Sequence, residues 1–121
     1  EYKAKADAVS QAEIYRNSYA ISVCQSEGLE SPTVVGAQAA NELLNIRGIK
    51  ASFVLTLYNE VVYVSARSID EVNVQIIMER MGGGGHLNIA GTQISGGTVE
   101  DGIETIKKTL DAMIAEGELE E

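Results

Sequence analysis

Residues 51–67 read ASFVLTLYNEVVYVSAR, two runs rich in β-branched and aromatic residues separated by Asn59-Glu60. Phe53, Leu55 and Leu57 alternate in the first run, the period of a pleated strand, and a two-residue break is short enough to close a hairpin. Just upstream the period changes. Ser31 and Pro32 supply an N-cap and a first-turn proline, Val35, Ala39, Leu43 and Ile46 recur at steps of four, four and three, and Gly48 follows as a C-cap, which predicts a helix over 33–47. A helix with one apolar stripe running directly into a period-2 hairpin is incompatible with an all-helical or an all-β chain.

Outward from this segment the pattern repeats. Tyr19 to Cys24 is an apolar, partly β-branched run that reads as a first strand. Downstream, Asn73 caps a short helix over 74–81 carrying Val74, Ile77 and Met81, and Gly82 stops it. Thr92 to Ser95 reads as a last strand. Thr98-Val-Glu-Asp101 then opens a helix over 98–115 with Val99, Ile103, Ile106, Leu110 and Met113 inward. Residues 3–18 are polar, with Ala4, Ala8, Ala12 and Tyr15 near helical spacing, and predict a connecting helix or linker outside the core. Residues 117–121 predict a frayed acidic tail. Strands and helices alternate but include a hairpin, so the expectation is α/β: a single domain over 19–116 with a mixed sheet of about four or five strands flanked by helices.

At 121 residues with 45% hydrophobic content, the chain builds one ordinary core, and five Tyr, one Phe and no Trp make that core aliphatic. No apolar run approaches the roughly 20 residues a membrane-spanning helix needs. Cys24 has no partner for an internal disulfide and reads as a small buried hydrophobe, which fits a reducing, cytoplasmic compartment. Of the net charge of −9, residues 100–121 hold eight acids against Lys107 and Lys108, leaving −3 for the rest. A long nucleic-acid groove shows a basic surplus, so a duplex ligand is disfavoured, whereas a small ligand with one or two phosphates is not.

Gly82-Gly83-Gly84-Gly85-His86 is the most unusual local feature, because four glycines cost chain entropy and bring no side chains to pack. Either the run turns the chain, or its backbone N–H groups cradle an anion with His86 as a side-chain donor. No Lys-Ser or Lys-Thr follows and no strand precedes, so it is neither a Walker loop nor a dinucleotide fingerprint. Asn88, Gly91 and Thr92 lie just downstream, as site groups or as turn residues. At the end of the hairpin, alternation puts Ser65 and Arg67 on one face, with Val64 and Ala66 on the other, followed by Ser68. Arg67 offers a planar, permanently charged fork for a phosphate. One histidine and one cysteine without a carboxylate cluster predict no metal site here, and binding is favoured over autonomous catalysis.

With Ser65-Ala-Arg-Ser68, Asn73-Val-Gln-Ile-Ile-Met78, Gly82-Gly-Gly-Gly-His86 and Asn88-Ile-Ala-Gly91 in this order, and Ala51-Ser-Phe-Val54 before them, the chain resembles the DHH-associated domain of bacterial phosphodiesterases. It is most similar to those of the GdpP type, which hydrolyse cyclic-di-AMP to pApA in nucleotide signalling. The resemblance covers about residues 14–114. It implies a preceding DHH domain in the same parent chain that holds manganese, and substrate binding here by Ser65, Arg67, Ser68, Gly82, Gly83, Gly84, Gly85, His86 and Asn88. It implies no catalytic residue and no turnover in this piece alone, residues 1–18 as the tail of the inter-domain linker, and a parent anchored in the membrane. The partner is then a cyclic dinucleotide or short oligonucleotide, with a homodimer also open. Nano-RNases and single-strand exonucleases carry similar glycine-histidine loops and stand as alternatives, as does a regulatory or dimerisation module. Where many relatives have two alanines, this chain has Ile89-Ala90.

Overall fold

A computed structural model describes residues 1–120. Four helices and six strands follow in the order α1 (Tyr2–Ser10), β1 (Glu13–Tyr15), β2 (Tyr19–Cys24), α2 (Pro32–Leu43), β3 (Ala51–Tyr58), β4 (Val61–Ser68), α3 (Val74–Arg80), β5 (Gly84–Gly85), β6 (Ile89–Ser95) and α4 (Val99–Ala115). The strands form one sheet in the order β1-β2-β3-β4-β6-β5. Only β2 and β3 are parallel, joined through α2, and every other pair is antiparallel, so the sheet is mixed as expected.

The hairpin closes between Tyr58 and Val61, with both turn residues left-handed, Asn59 at φ 51° and Glu60 at φ 65°. That geometry matches the twist of the flanking strands. Its central strand is buried on both sides. One face of the sheet gathers Tyr19, Ile21, Phe53, Leu55, Val62, Val64 and Ala66 against α3 and α4, whose Ile77, Ile106, Leu110 and Met113 complete the larger core. The other face packs Ala20, Cys24 and Val54 against Ala8 of α1 and Val35, Ala39, Ala40 and Leu43 of α2. Small residues let α2 lie close: a Cβ on Gly36 would strike the Thr56 hydroxyl. Buried hydroxyls on this face donate to helix carbonyls, Ser52 Oγ to Ala40 at 2.6 Å and Ser22 Oγ to Ala8. Helix α1 packs on β2, and α2 on β2, β3 and the near side of β4, so this face stays open over β6 and the β6 side of β4, with Gln93 and Ile89 exposed.

Four local expectations need correction. The helix predicted over 3–18 stops at Ser10, and residues 13–15 instead form an edge strand, turned back by left-handed Arg16 and Asn17. Ala8 is buried, so α1 belongs to the second core. Helix α2 ends at Leu43, because Leu44, Asn45 and Ile46 donate to carbonyls three residues back and tighten the chain; Gly48 is left-handed but is not the cap, and Ile46 is exposed. The tail docks: Leu119 is buried, Tyr19 Oη donates to the Glu120 carbonyl at 3.1 Å, and Arg80 pairs with Glu116 and Glu118. Glu121 of that tail lies outside the described residues. The sheet has six strands rather than about four or five, because the edge strand β1 and the two glycines that form β5 were both unexpected.

Candidate functional site

Helix α3 delivers the glycine run. Asn73 Oδ1 accepts from the backbone N–H groups of Gln75 and Ile76, fixing the start of the helix. At its end Gly82 takes φ 88° and Gly83 N–H reaches back to the Met78 carbonyl at 2.8 Å, the bond pattern of a glycine-terminated helix. The four glycines are not equivalent. A Cβ at Gly83 would overlap the Gly91 carbonyl and Thr92, and one at Gly85, at φ 148°, would overlap Ile89 and Ala90. At Gly84 a Cβ meets nothing. The run is therefore a strand laid tightly on β6, and Leu87-Asn88 is the two-residue turn between them: His86 N–H donates to the Ile89 carbonyl at 2.7 Å.

On the open face of β4, β6 and β5, register orders the side chains into three rows. Arg67 stands beside Ile89, which is bonded to His86. Ser65 stands beside Gly91, which pairs with Gly84. Tyr63 stands beside Gln93. Successive rows are about 7 Å apart, and His86 lies about 10 Å from Arg67, two strand spacings away. The structure thus brings Ser65, Arg67, the glycines and His86 to one surface. A trough of about 540 Å³ opens over the lower rows, lined by Thr33, Tyr63, Ser65, Gly83, Gly91 and Gln93 among others. It includes Gly82 but not Arg67, Gly84, Gly85, His86, Ser68 or Asn88.

Arg67 is half-buried. Its Nη1 donates to the Ala66 carbonyl at 2.9 Å, while Nε is enclosed with no acceptor. Burial pulls its pKa below the ordinary guanidinium value, with no carboxylate opposing that shift, although the group stays protonated. A desolvated cation with an unmet donor is costly unless an anion joins it. The acids carried by α4 lie away from it, since α4 packs on the opposite face of the sheet.

Ser68 and Asn88 take a different place. Ser68 is buried, its Oγ donating to the Val72 carbonyl at 2.6 Å. Asn88 Nδ2 donates to the Ser68 carbonyl at 3.1 Å, and Ser68 N–H donates to the Asn88 carbonyl at 3.0 Å. Their polar atoms tie the end of β4 to the β5–β6 turn. Thr92 Oγ1 likewise donates to the Met81 carbonyl at 3.1 Å. Tyr63, Gln93 and Thr33 are absent from the expected set. The alternation that joins Ser65 to Arg67 extends to Tyr63, but Gln93 and Thr33 become neighbours only through strand pairing and helix packing.

Among the described residues no three His, Cys, Asp or Glu side chains cluster to hold a metal ion, so a manganese centre does not fit the described residues. No described helix is long and apolar enough to cross a membrane.

Residues 17–116 match the DHHA1 domain family. The chain is 42% identical over 105 residues to the cyclic-di-AMP phosphodiesterase PdeA of Listeria monocytogenes and 41% identical over 112 residues to the cyclic-di-AMP phosphodiesterase GdpP of Bacillus subtilis. It is covered over 86% and 91% of its length, yet spans only 16% and 17% of theirs. An exopolyphosphatase-related protein from Bacteroides fragilis shares the fold, with a TM-score of 0.80 at 21% identity over 93% of this chain and 34% of that one.

Proposed function

The chain belongs to the DHHA1 domain family, and from that premise we propose that it is the substrate-recognition part of a longer, metal-dependent phosphodiesterase that opens cyclic-di-AMP to pApA. The single observation that carries the reading is Arg67, a desolvated cation whose Nε lacks an acceptor and which stands in register with His86 across Ile89. A nucleotide phosphate supplies the missing acceptor. His86 adds a directed donor at the glycine edge, and Ser65 a hydroxyl one row below.

In this reading the chain binds and orients. It holds the phosphate so that the scissile bond faces a DHH domain that precedes it in a membrane-anchored parent, where bound manganese would supply water activation. Nothing in this chain is assigned a proton transfer.

Calorimetric titration of cyclic-di-AMP, pApA and a short oligonucleotide into the full-length protein, with manganese present, tests the reading. The expected outcome is binding and hydrolysis of the cyclic dinucleotide in preference to the oligonucleotide. A preference for short oligonucleotides moves the assignment to the nano-RNase type. No binding of any nucleotide leaves the glycine run as a turn and the domain as a regulatory or dimerisation module.

A further inference from the structure

The trough beside Arg67 is unlike the rest of the surface in three respects. Its floor has no side chains where Gly83 and Gly91 meet, and neither can gain one, because a Cβ at Gly83 would overlap β6 and a Cβ at Gly91 would press on the Val64 carbonyl. The floor is therefore flat. Tyr63 and Gln93, paired across β4 and β6, stand at one end of it, and Thr33 at the start of α2 borders it. The side chains of Tyr63, Gln93, Thr33 and Ser65 make no hydrogen bond to other described residues, whereas the neighbouring Thr92 hydroxyl is committed to Met81. Finally, no charged residue lines the trough, although Arg67 lies one row beyond Ser65.

From this arrangement we propose that the trough is a nucleobase subsite, with Tyr63 as the stacking surface and Gln93 as the group that reads the base edge, and that it selects adenine. The inference rests on the phosphate reading of Arg67 and adds the base to it. A flat floor with an aromatic ring at its end accepts a planar ring system, and stacking on tyrosine is sequence-tolerant. Selectivity then falls to the polar group. A glutamine amide presents one donor and one acceptor side by side, the complement of the adenine N7 and N6 edge, whereas the two adjacent acceptors of guanine, O6 and N7, call for a cationic fork. The trough has the amide and lacks the cation. Arg67 is about two rows, or roughly 13 Å, from Tyr63 and Gln93, a span that separates the phosphate from the base rather than placing the guanidinium on the base edge.

The test is steady-state hydrolysis by the full-length protein of cyclic-di-AMP and cyclic-di-GMP, with thermal unfolding of every variant. Gln93→Ala should lower kcat/KM for cyclic-di-AMP by about tenfold, mostly through KM, with little change for cyclic-di-GMP, so that the ratio of the two falls by the same factor. The near-isosteric Gln93→Glu, which loses the donor, should do likewise while unfolding as the wild type does. Tyr63→Ala should weaken both substrates by about tenfold, and Tyr63→Phe should restore them. An unchanged adenine-to-guanine ratio in both Gln93 variants of an active enzyme would overturn the base subsite alone. Inactivity of the wild-type protein toward every dinucleotide would overturn the phosphate reading with it.

Discussion

At Arg67 and His86 two side chains of different chemistry face one surface, the first a half-buried permanent cation and the second an exposed imidazole at the glycine edge. If one phosphate or two adjacent groups of a nucleotide bridge them, their contributions are coupled. Arg67→Ala should cost charge-assisted bonds of about 1.5–3 kcal/mol each in productive binding, and His86→Ala should reduce turnover with the unfolding temperature unchanged. A double-mutant cycle on kcat/KM should then be non-additive, and near-native activity in both single variants would dismiss the pair. The glycines offer a sharper contrast. Gly83→Ala must displace β5 from β6 and should destabilise by on the order of 2–3 kcal/mol, whereas Gly84→Ala, with open space above it, should unfold as the wild type does. Equal denaturation midpoints for the two would mean that the tight approach at Gly83 is not maintained.

Between elements, the hydrogen bonds of Ser68 and Asn88 matter more than either side chain's position near the site. They join the end of β4 to the β5–β6 turn and so hold the row of Arg67 in register with His86. Ser68→Ala leaves the Val72 carbonyl without its buried donor, a loss of about 1–3 kcal/mol, and the effect should appear in urea unfolding. Its kcat/KM measured well below the transition should stay within a few-fold of wild type, since no atom of Ser68 is left over for a ligand. A loss of affinity without loss of stability would instead assign the hydroxyl to the substrate. The sequence shows both residues as polar groups near a glycine run and gives no sign that each is the other's partner, because they are 20 positions apart.

For the molecule as a whole, the segment after α4, up to Glu120, and the edge strand β1 are clasped to the core. Leu119 packs into the larger cluster below α3 and α4, and Leu119→Ala should cost about 2 kcal/mol at this partly open site. At the edge strand Tyr15 Oη donates to both Asp111 oxygens, at 2.8 and 2.9 Å, and Arg16 Nε to one of them, tying β1 to α4. The Tyr15 hydroxyl, and after it Arg16, hold the Asp111 carboxyl below its ordinary value. A depressed folded pKa means that the clasp contributes above the unfolded carboxylate value, about 4, and loses its contribution as pH falls through the lower folded one. The stability difference between wild type and Asp111→Asn should therefore shrink below about pH 4. A constant difference across the acid range would mean that the carboxylate charge plays no part.

Local signals of the sequence were sufficient where a local force decides the outcome. The Asn73 and Thr98 caps, the stop at Gly82 and the period-2 hairpin all act within a few residues, and the elements they predict are present. Alternation within β4 likewise placed Ser65 with Arg67. Tertiary structure decided whatever depends on distant partners. Residues 13–15 have too little local preference to declare a strand and gain one by pairing with β2, while an acidic tail packs because Leu119 and Arg80 hold it. The glycine run reads locally as a loop, since glycine has weak strand preference, and lies on β6 as strand β5 because Gly83 and Gly85 have no Cβ to strike Gly91, Thr92 and Ala90. Pairing of β4 with β6 sets Gln93 beside Tyr63, 30 positions away in the chain, so the trough exists only once the sheet is assembled.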